Sequence, residues 1–286
     1  MEMATEELAR RKQGSKCMTR VDDSPVADFA NMLRLDGRTY VVIGAGQGMG
    51  RQSAHALVQN GARIVCVDVD EDRANDIATE VGNDAVPWVG DVTKRDGVKR
   101  LFDDAGKIFG GKLNGFVDIV GMAQYSNLTE ITDDLWEWHF DMNLRHGWLA
   151  MQYAAPLIKA NGGGTMTFVA SVSGTSAAPR HAAYGAAKAG LMALVKSAAV
   201  ELGPDNIRVN AVAPGVVWTP RVSAFLGPEG KARNSENAPL RRVAQTSNIA
   251  SALLFFTSDL AAYVSGQTLI VDGAVGVKFP YPMEGL

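Results

Sequence analysis

The sequence predicts a single α/β domain: a parallel seven-stranded sheet, doubly wound, with helices on both faces. Three observations predict it. Seven short apolar runs, rich in β-branched residues, fall near 39–43, 62–67, 85–89, 115–120, 164–170, 206–212 and 267–271. Helix-like segments separate them, near 71–80, 94–109, 133–160, 181–202 and 246–258. A cluster of glycines stands between the first run and the helix that follows it. Strands alternating with helices in this way pair in parallel and are buried on both faces. There is no internal repeat and no low-complexity linker, so residues 36–274 read as one domain.

In order along the chain, residues 1–35 read as an N-terminal extension. Its first part, Glu2 to Lys16, is highly charged and solvated. Ser24-Pro25 has the form of a helix start, with serine as N-cap and proline at the first helical position. Val26, Phe29, Met32 and Leu33 would then share a face. Thr39–Ile43 is the first strand, followed by Gly44-Ala45-Gly46-Gln47-Gly48-Met49-Gly50 and a helix closed by Gly61. The second strand ends at Asp68 and the third at Asp91-Val92. Residues 216–242 break the rhythm. With Pro220, Pro228 and Pro239 and apolar Trp218, Phe225 and Leu226, they read as a loop-rich substrate lid. Residues 275–286 form an apolar tail, read as a docked structural segment.

Composition excludes several classes. The 286 residues are 47% hydrophobic and 21% charged, with a net charge of −3. No basic excess is present for nucleic acid, and no apolar run reaches the ~18 residues of a membrane helix. Two cysteines, Cys17 and Cys66, give no disulfide framework, which fits a reducing cytoplasm. The charged N-terminus lacks a hydrophobic signal core, so secretion is not expected. His55, His139 and His146 form no cluster with cysteine or acids at metal-ligand spacing, so no metal is expected.

The glycine cluster carries the first functional reading. A glycine loop between a strand and a helix lets backbone approach a pyrophosphate at the positive end of the helix. The spacing fits Gly44-x3-Gly48-x-Gly50, since Met49 stands where the third glycine of the commoner pattern would fall. Asp68, 18 residues beyond Gly50, is placed to accept hydrogen bonds from adenosine ribose hydroxyls and to repel a 2′-phosphate. Gln47 adds no positive charge. Both observations favour NAD over NADP. Asp91 and Val92 fall beside the adenine in this arrangement.

Tyr184 and Lys188 carry the second reading. Four residues apart on a helix, they share a face. An ammonium beside a phenol favours the phenolate and brings its pKa toward the working range. Gly185, Ala186 and Ala187 leave room for a large ligand against that helix.

With these motifs in place, the chain from about Leu35 to Ala274 resembles the short-chain dehydrogenase/reductase family. The glycine loop matches, as do Tyr184 and Lys188. Ser171, thirteen residues before Tyr184, matches the family's catalytic serine, and Asn143 its helix asparagine. Pro214-Gly215-Val216-Val217-Trp218-Thr219 matches its Pro-Gly-x3-Thr turn. The resemblance implies a Rossmann-type fold and hydride transfer between a nicotinamide and a carbonyl or secondary alcohol. It implies Tyr184 as acid/base, with Lys188 lowering its pKa and bonding the ribose. Ser171 would hold the substrate oxygen, Asn143 a relay water and Thr219 the nicotinamide carboxamide. Pro214, Gly215 and Val217 join the cofactor-contacting set, and the resemblance also implies a homotetramer. Two departures stand out. Ile43 replaces a threonine, and Asp118-Ile119-Val120-Gly121 replaces Asn-Asn-Ala-Gly, keeping only Gly121. A buried Asp118 would need a partner.

The positions lining the expected pocket, Met122 to Tyr125, Ala177 to His181 and Val217 to Leu226, are mostly apolar. They suggest a hydrophobic secondary alcohol or its ketone, cyclic or steroid-like in size. Two alternatives are an NADPH-dependent 3-oxoacyl thioester reductase and a nucleotide-sensing module that does no chemistry.

Overall fold

The computed structural model describes residues 24–279. The charged segment 2–16, Cys17 and the tail beyond Phe279 lie outside the described residues. Seven strands alternate with helices: β1 Thr39–Ile43, α1 Gly48–Gln59, β2 Arg63–Asp68, α2 Glu71–Val81, β3 Val86–Val89, α3 Arg95–Ile108 and β4 Gly115–Asp118. Then come α4 Asp133–Phe140, α5 His146–Ala160, β5 Gly164–Val169, α6 Ala182–Leu202, β6 Ile207–Pro214, α7 Pro220–Asn237, α8 Thr246–Thr257 and β7 Thr268–Val271. The sheet order is β3-β2-β1-β4-β5-β6-β7, with every pairing parallel. This is the expected doubly wound, Rossmann-like fold.

Alternation along each strand divides the core in two. Val41 and Ile43 of β1, with Val65 and Val67 of β2, face α3, α5 and α6; Tyr40 and Val42, with Ile64 and Cys66, face α1, α2 and α8. Both faces are buried, which is why these strands read as continuous apolar runs. After β3 the chain returns to the sheet centre and builds outward from β4 the other way. The crevice at that reversal, beyond the C-terminal ends of β1 and β4, is where open α/β sheets hold ligands.

Three expectations are corrected. No helix starts at Ser24-Pro25; residues 24–30 lead only to a short 3₁₀ turn, Asn31–Leu33. The Asp28 carboxylate holds the Asn31 backbone and side chain (3.3 and 2.6 Å), and Val26 and Phe29 stay exposed. That local bond offers the backbone an alternative to helix. The helix expected over 133–160 is interrupted by a π turn, Asp141–Arg145, in which the His146 N–H reaches back to the Asp141 carbonyl. Finally, residues 216–242 are mostly helical, not loop. Thr219 caps α7 by accepting from Val222 N at 3.2 Å, Pro220 takes the first turn, and Gly227 (φ 62°) kinks the helix before Pro228.

Candidate active site

The glycine loop lies in the crevice. Gly44 and Ala45 donate to the Val67 carbonyl at 2.9 and 2.8 Å, which anchors the loop to β2. A Cβ on Gly50 would stand 1.8 Å from the Gly44 carbonyl oxygen, so only glycine lets α1 start this close to β1. Gln47 occupies the N-cap without a side-chain bond, and the first turn of α1 carries no acid. That end of the helix is therefore unneutralised and suited to an anion. A Cβ on Gly48 would lie 3.5 Å from Thr219 Cγ2, so the β6–α7 turn roofs the loop. These features fit a dinucleotide pyrophosphate.

Asp68, almost fully buried, accepts from Gly46 N and Asp70 N, each at 3.1 Å. The carboxylate thus sits against the glycine loop, as expected. Sequence reasoning missed Arg73. A Cβ on Gly46 would lie 2.5 Å from Arg73 Cβ and 2.6 Å from Asp68 Oδ2, so the base of the Arg73 side chain borders the glycine loop on the same side as the acid. Its guanidinium is 3.7 Å from Asp70, in a segment that also holds Glu71 and Asp72.

The remaining cofactor candidates divide. Asp91 is exposed, and its Oδ1 accepts from Thr93 N and Thr93 Oγ1 at 2.8 and 2.6 Å. Val92 and Val217 place their side chains in the core, leaving only backbone for the crevice. Pro214 ends β6, and Gly215 donates to Val271 at 3.0 Å.

Tyr184 and Lys188 rise from the first two turns of α6, and Ser171 follows β5. The Ser171 hydroxyl lies near enough to the Tyr184 phenol to lower its pKa and accepts from Ser173 N at 3.1 Å. Lys188, 1% exposed, donates to the Val169 carbonyl at 2.8 Å. Its Nζ lies 6.0 Å from the centroid of the Tyr184 ring. Burial pushes the Lys188 pKa down to about 8, opposed by the charge of Asp118. For Tyr184 the direction is the reverse of the expected one. Burial pushes the phenol up, and Ser171 pulls it only part of the way back. Lys188 turns toward the Val169 carbonyl, and desolvation dominates.

Asn143 sits inside the π turn, fully buried. Its Oδ1 accepts from Met122 N at 3.0 Å, and its Nδ2 donates to the carbonyls of Met122 (2.8 Å) and His139 (3.0 Å). Both amide hydrogens and one lone pair of Oδ1 are thus engaged in fixing the segment after β4. Gly121 lies where a Cβ would be 2.7 Å from Lys188 Nζ and 3.0 Å from Asn143 Oδ1. Its survival in the altered segment has that physical reason.

Asp118 has the partner it requires. His146 Nε2 stands 3.0 Å from Asp118 Oδ2, ion-pair distance but off the line of a good hydrogen bond, and Asp118 Oδ1 accepts from Val120 N at 3.0 Å.

An aromatic wall closes the pocket. Tyr125 stacks on His181 (centroids 4.9 Å) and on Phe225 of α7 (5.3 Å), while His181 meets Tyr184 edge-on at 6.0 Å. Ser173 Oγ lies 3.1 Å from His181 Nδ1. Buried His139 stands 6.1 Å from the Tyr184 ring, with Nε2 3.1 Å from the Gln124 carbonyl. The sequence marked Tyr125, His181 and Phe225 singly, but no spacing links three separate elements.

The chain is similar to known proteins over most of its length. A family model described as enoyl-(acyl carrier protein) reductase matches residues 44–275. A tropinone reductase homolog of Arabidopsis thaliana is 34% identical over 255 residues, covering 87% of this chain and 83% of that one. The 3-oxoacyl-[acyl-carrier-protein] reductase of Thermotoga maritima is 30% identical, covering 85% and 99%. A solved 7α-hydroxysteroid dehydrogenase, complexed with NADH and 7-oxo glycochenodeoxycholic acid, superposes with a TM-score of 0.82 at 31% identity, covering 85% and 96%. The chain belongs to the short-chain dehydrogenase/reductase family. It is an oxidoreductase of the kind that acts on CH–OH groups with a nicotinamide cofactor. No helix among the described residues is long and apolar enough to cross a membrane.

Proposed function

We propose that this protein transfers hydride between NAD(H) and a hydrophobic secondary alcohol or its ketone, cyclic or steroid-like in size, with Tyr184 as general acid/base. The observation that carries this reading is the Ser171–Tyr184–Lys188 group beside the wall of Tyr125, His181 and Phe225. Flat apolar surfaces suit such a wall, and the cation beside it, Arg180, donates to the Tyr125 carbonyl at 3.4 Å. The nicotinamide supplies or accepts the hydride when bound. Tyr184 gives its proton to the carbonyl oxygen in reduction and takes the alcohol proton in oxidation. Ser171 holds that oxygen and stabilises charge developing on it. Lys188, cationic at neutral pH, offsets charge on the phenol oxygen. The Thr219 hydroxyl keeps its hydrogen to donate to the carboxamide while its oxygen caps α7. Asn143 shapes the wall through Met122, and α7 acts as the lid. The buried Cys66 thiol, pushed up to about 12, is inert.

Asp68 supports NAD, since its carboxylate faces the ribose edge from a neutral glycine loop. Arg73, and the likeness to the 3-oxoacyl-[acyl-carrier-protein] reductase of Thermotoga maritima, favour the NADPH-dependent reductase of 3-oxoacyl thioesters. Following reduced nicotinamide by absorbance, with NAD and NADP against bulky secondary alcohols and against 3-oxoacyl thioesters, decides between them. NAD-dependent oxidation of the alcohols is expected. In Asp68→Ser the preference for NAD should fall by about tenfold or more, since a repulsive carboxylate is removed. A wild type that prefers NADP, or turns over only thioesters, would replace this reading with the reductase.

Gly121→Ala tests the packing of Lys188. The added methyl forces Nζ or Asn143 aside, and a displacement near 1 Å costs on the order of 10²-fold in kcat. Steady-state kinetics beside a thermal melt should give that loss with a folded protein. Unchanged kcat would mean that the position of Lys188 does not matter.

A further inference from the structure

The segment that departs from the family motif carries two buried ionisable groups that the proposed chemistry leaves idle. Asp118 ends β4, and His146 opens α5 directly after the π turn; each is 2% exposed. Their side chains stand 3.0 Å apart, Nε2 to Oδ2, and His146 Nδ1 lies 3.3 Å from the Asp141 carbonyl. A buried carboxylate costs free energy unless it is paired, so this pair exists for a local reason or not at all. Asp118 is the register partner of Phe168 in β5, and the next β5 residue, Val169, holds Lys188 Nζ by its carbonyl. Gly121, three residues beyond Asp118, leaves the space that Lys188 Nζ occupies. Asp118, two residues beyond Phe116, lies on the sheet face that α5 and α6 cover, the face from which Lys188 reaches the Val169 carbonyl.

We propose that Asp118, held in place by His146, is a positioning residue that keeps Lys188 a cation beside Tyr184. An ammonium 1% exposed, with one carbonyl bonded to it, is desolvated at a cost that a neutral amine escapes. A carboxylate fixed nearby offsets that cost. His146, 3.0 Å from Oδ2, fixes the orientation of the carboxylate. Asparagine at this position would supply neither charge nor a reason for the histidine, so the two residues act as a unit. The other titratable groups around Lys188 are Tyr184 on its own helix, His139 of α4 and His181 beyond Ser173. Asp141 and Arg145 of the π turn pair with each other at 3.1 Å, toward solvent. Among these neighbours only Asp118 lends Lys188 a favourable charge.

The inference rests on Lys188 being the working cation of the proposed reaction, but its test does not need turnover. Lysine labelled with ¹³C at Cε is incorporated into the wild type, Asp118→Asn and His146→Gln, and the Lys188 signal is assigned by its absence in Lys188→Met. Titration by NMR then reads the ammonium directly. In Asp118→Asn the Lys188 midpoint should fall by at least a full pH unit. In His146→Gln, where the carboxylate loses the contact that fixes it, the midpoint should fall in the same direction by a smaller amount. The alkaline limb of kcat/KM for alcohol oxidation should move the same way in each variant, whereas loss of packing alone would lower kcat/KM at every pH alike. A Lys188 midpoint within 0.3 units of wild type in Asp118→Asn would overturn the proposal. If that variant does not fold, a static or raised midpoint in His146→Gln overturns it. Should the midpoints move while no alcohol is turned over, the coupling stands and the catalytic assignment of Lys188 fails.

Discussion

Replacing Tyr184 with phenylalanine is expected to cut turnover by ~10²–10⁴-fold, the range carried by a positioned general acid/base. NAD affinity should stay within about twofold, because the ring and its neighbours remain. The pH dependence makes the result specific. Burial raises the pKa of this phenol, so the protein holds it protonated at neutral pH. Reduction, which consumes that proton, is served by the resting form. Oxidation needs the phenolate, and its rate should climb with pH toward the tyrosine pKa. The variant lacks this phenol, so its residual oxidation rate should not climb across the same range. Pre-steady-state and steady-state rates from pH 6 to 10 check this. A variant that keeps the climb would show that the titrating group is elsewhere.

Lys188→Met should destroy activity and stabilise the protein. The folded-state pKa of Lys188 is about 8, below the 10.5 of an unperturbed lysine. A group depressed in this way binds fewer protons folded than unfolded between those values, so wild-type stability is lowest below pH 8 and climbs as pH rises through the window. At ~1.36 kcal/mol per pKa unit, the ammonium costs roughly 3 kcal/mol at neutral pH. Methionine has similar volume and no charge, but leaves the Val169 carbonyl without its donor, at about 1–2 kcal/mol. The net expectation is a gain of about 1–2 kcal/mol at pH 7, a few degrees in Tm. The variant should also lose the climb above pH 8. Melting curves at pH 7 and pH 9.5 measure both effects. Equal destabilisation at both pH values would mean that the lysine is structural, not a strained functional group.

Much of this was legible in the chain. The β1–loop–α1 unit announces itself because Thr39–Ile43 is buried on both faces and because Gly50 packs where no side chain fits. Tyr184 and Lys188 are readable because helical spacing alone puts them on one face. Other features are not local. The π turn at 141–145 is set by how α4 and α5 pack and has no marker in Asp-Met-Asn-Leu-Arg. The prolines of residues 216–242 suggest loop, yet Pro220 opens α7, Pro228 follows its kink and Pro239 lies just past its end. They punctuate a helix, as proline at a helix start or stop does. Asp118 and His146 are 28 positions apart, and their contact depends on the register of β4 against β5. The direction of the Tyr184 pKa was misread for the same reason. Spacing gives the neighbour of a phenol but not its desolvation.

The two borders of the sheet are unlike. At one border Pro87 stands on β3, exposed, with no N–H to offer an incoming strand. At the other, β7 has Leu269 and Ile270 at 41% and 44% exposure and no proline. A β3 border docked on the β7 border of the next copy would repeat without end, the geometry of a fibre. Proline on β3 blocks that repeat. What remains is β7 against β7, a two-fold contact that closes on itself, so the same residue that weakens one strand restricts edge-to-edge association to finite assemblies.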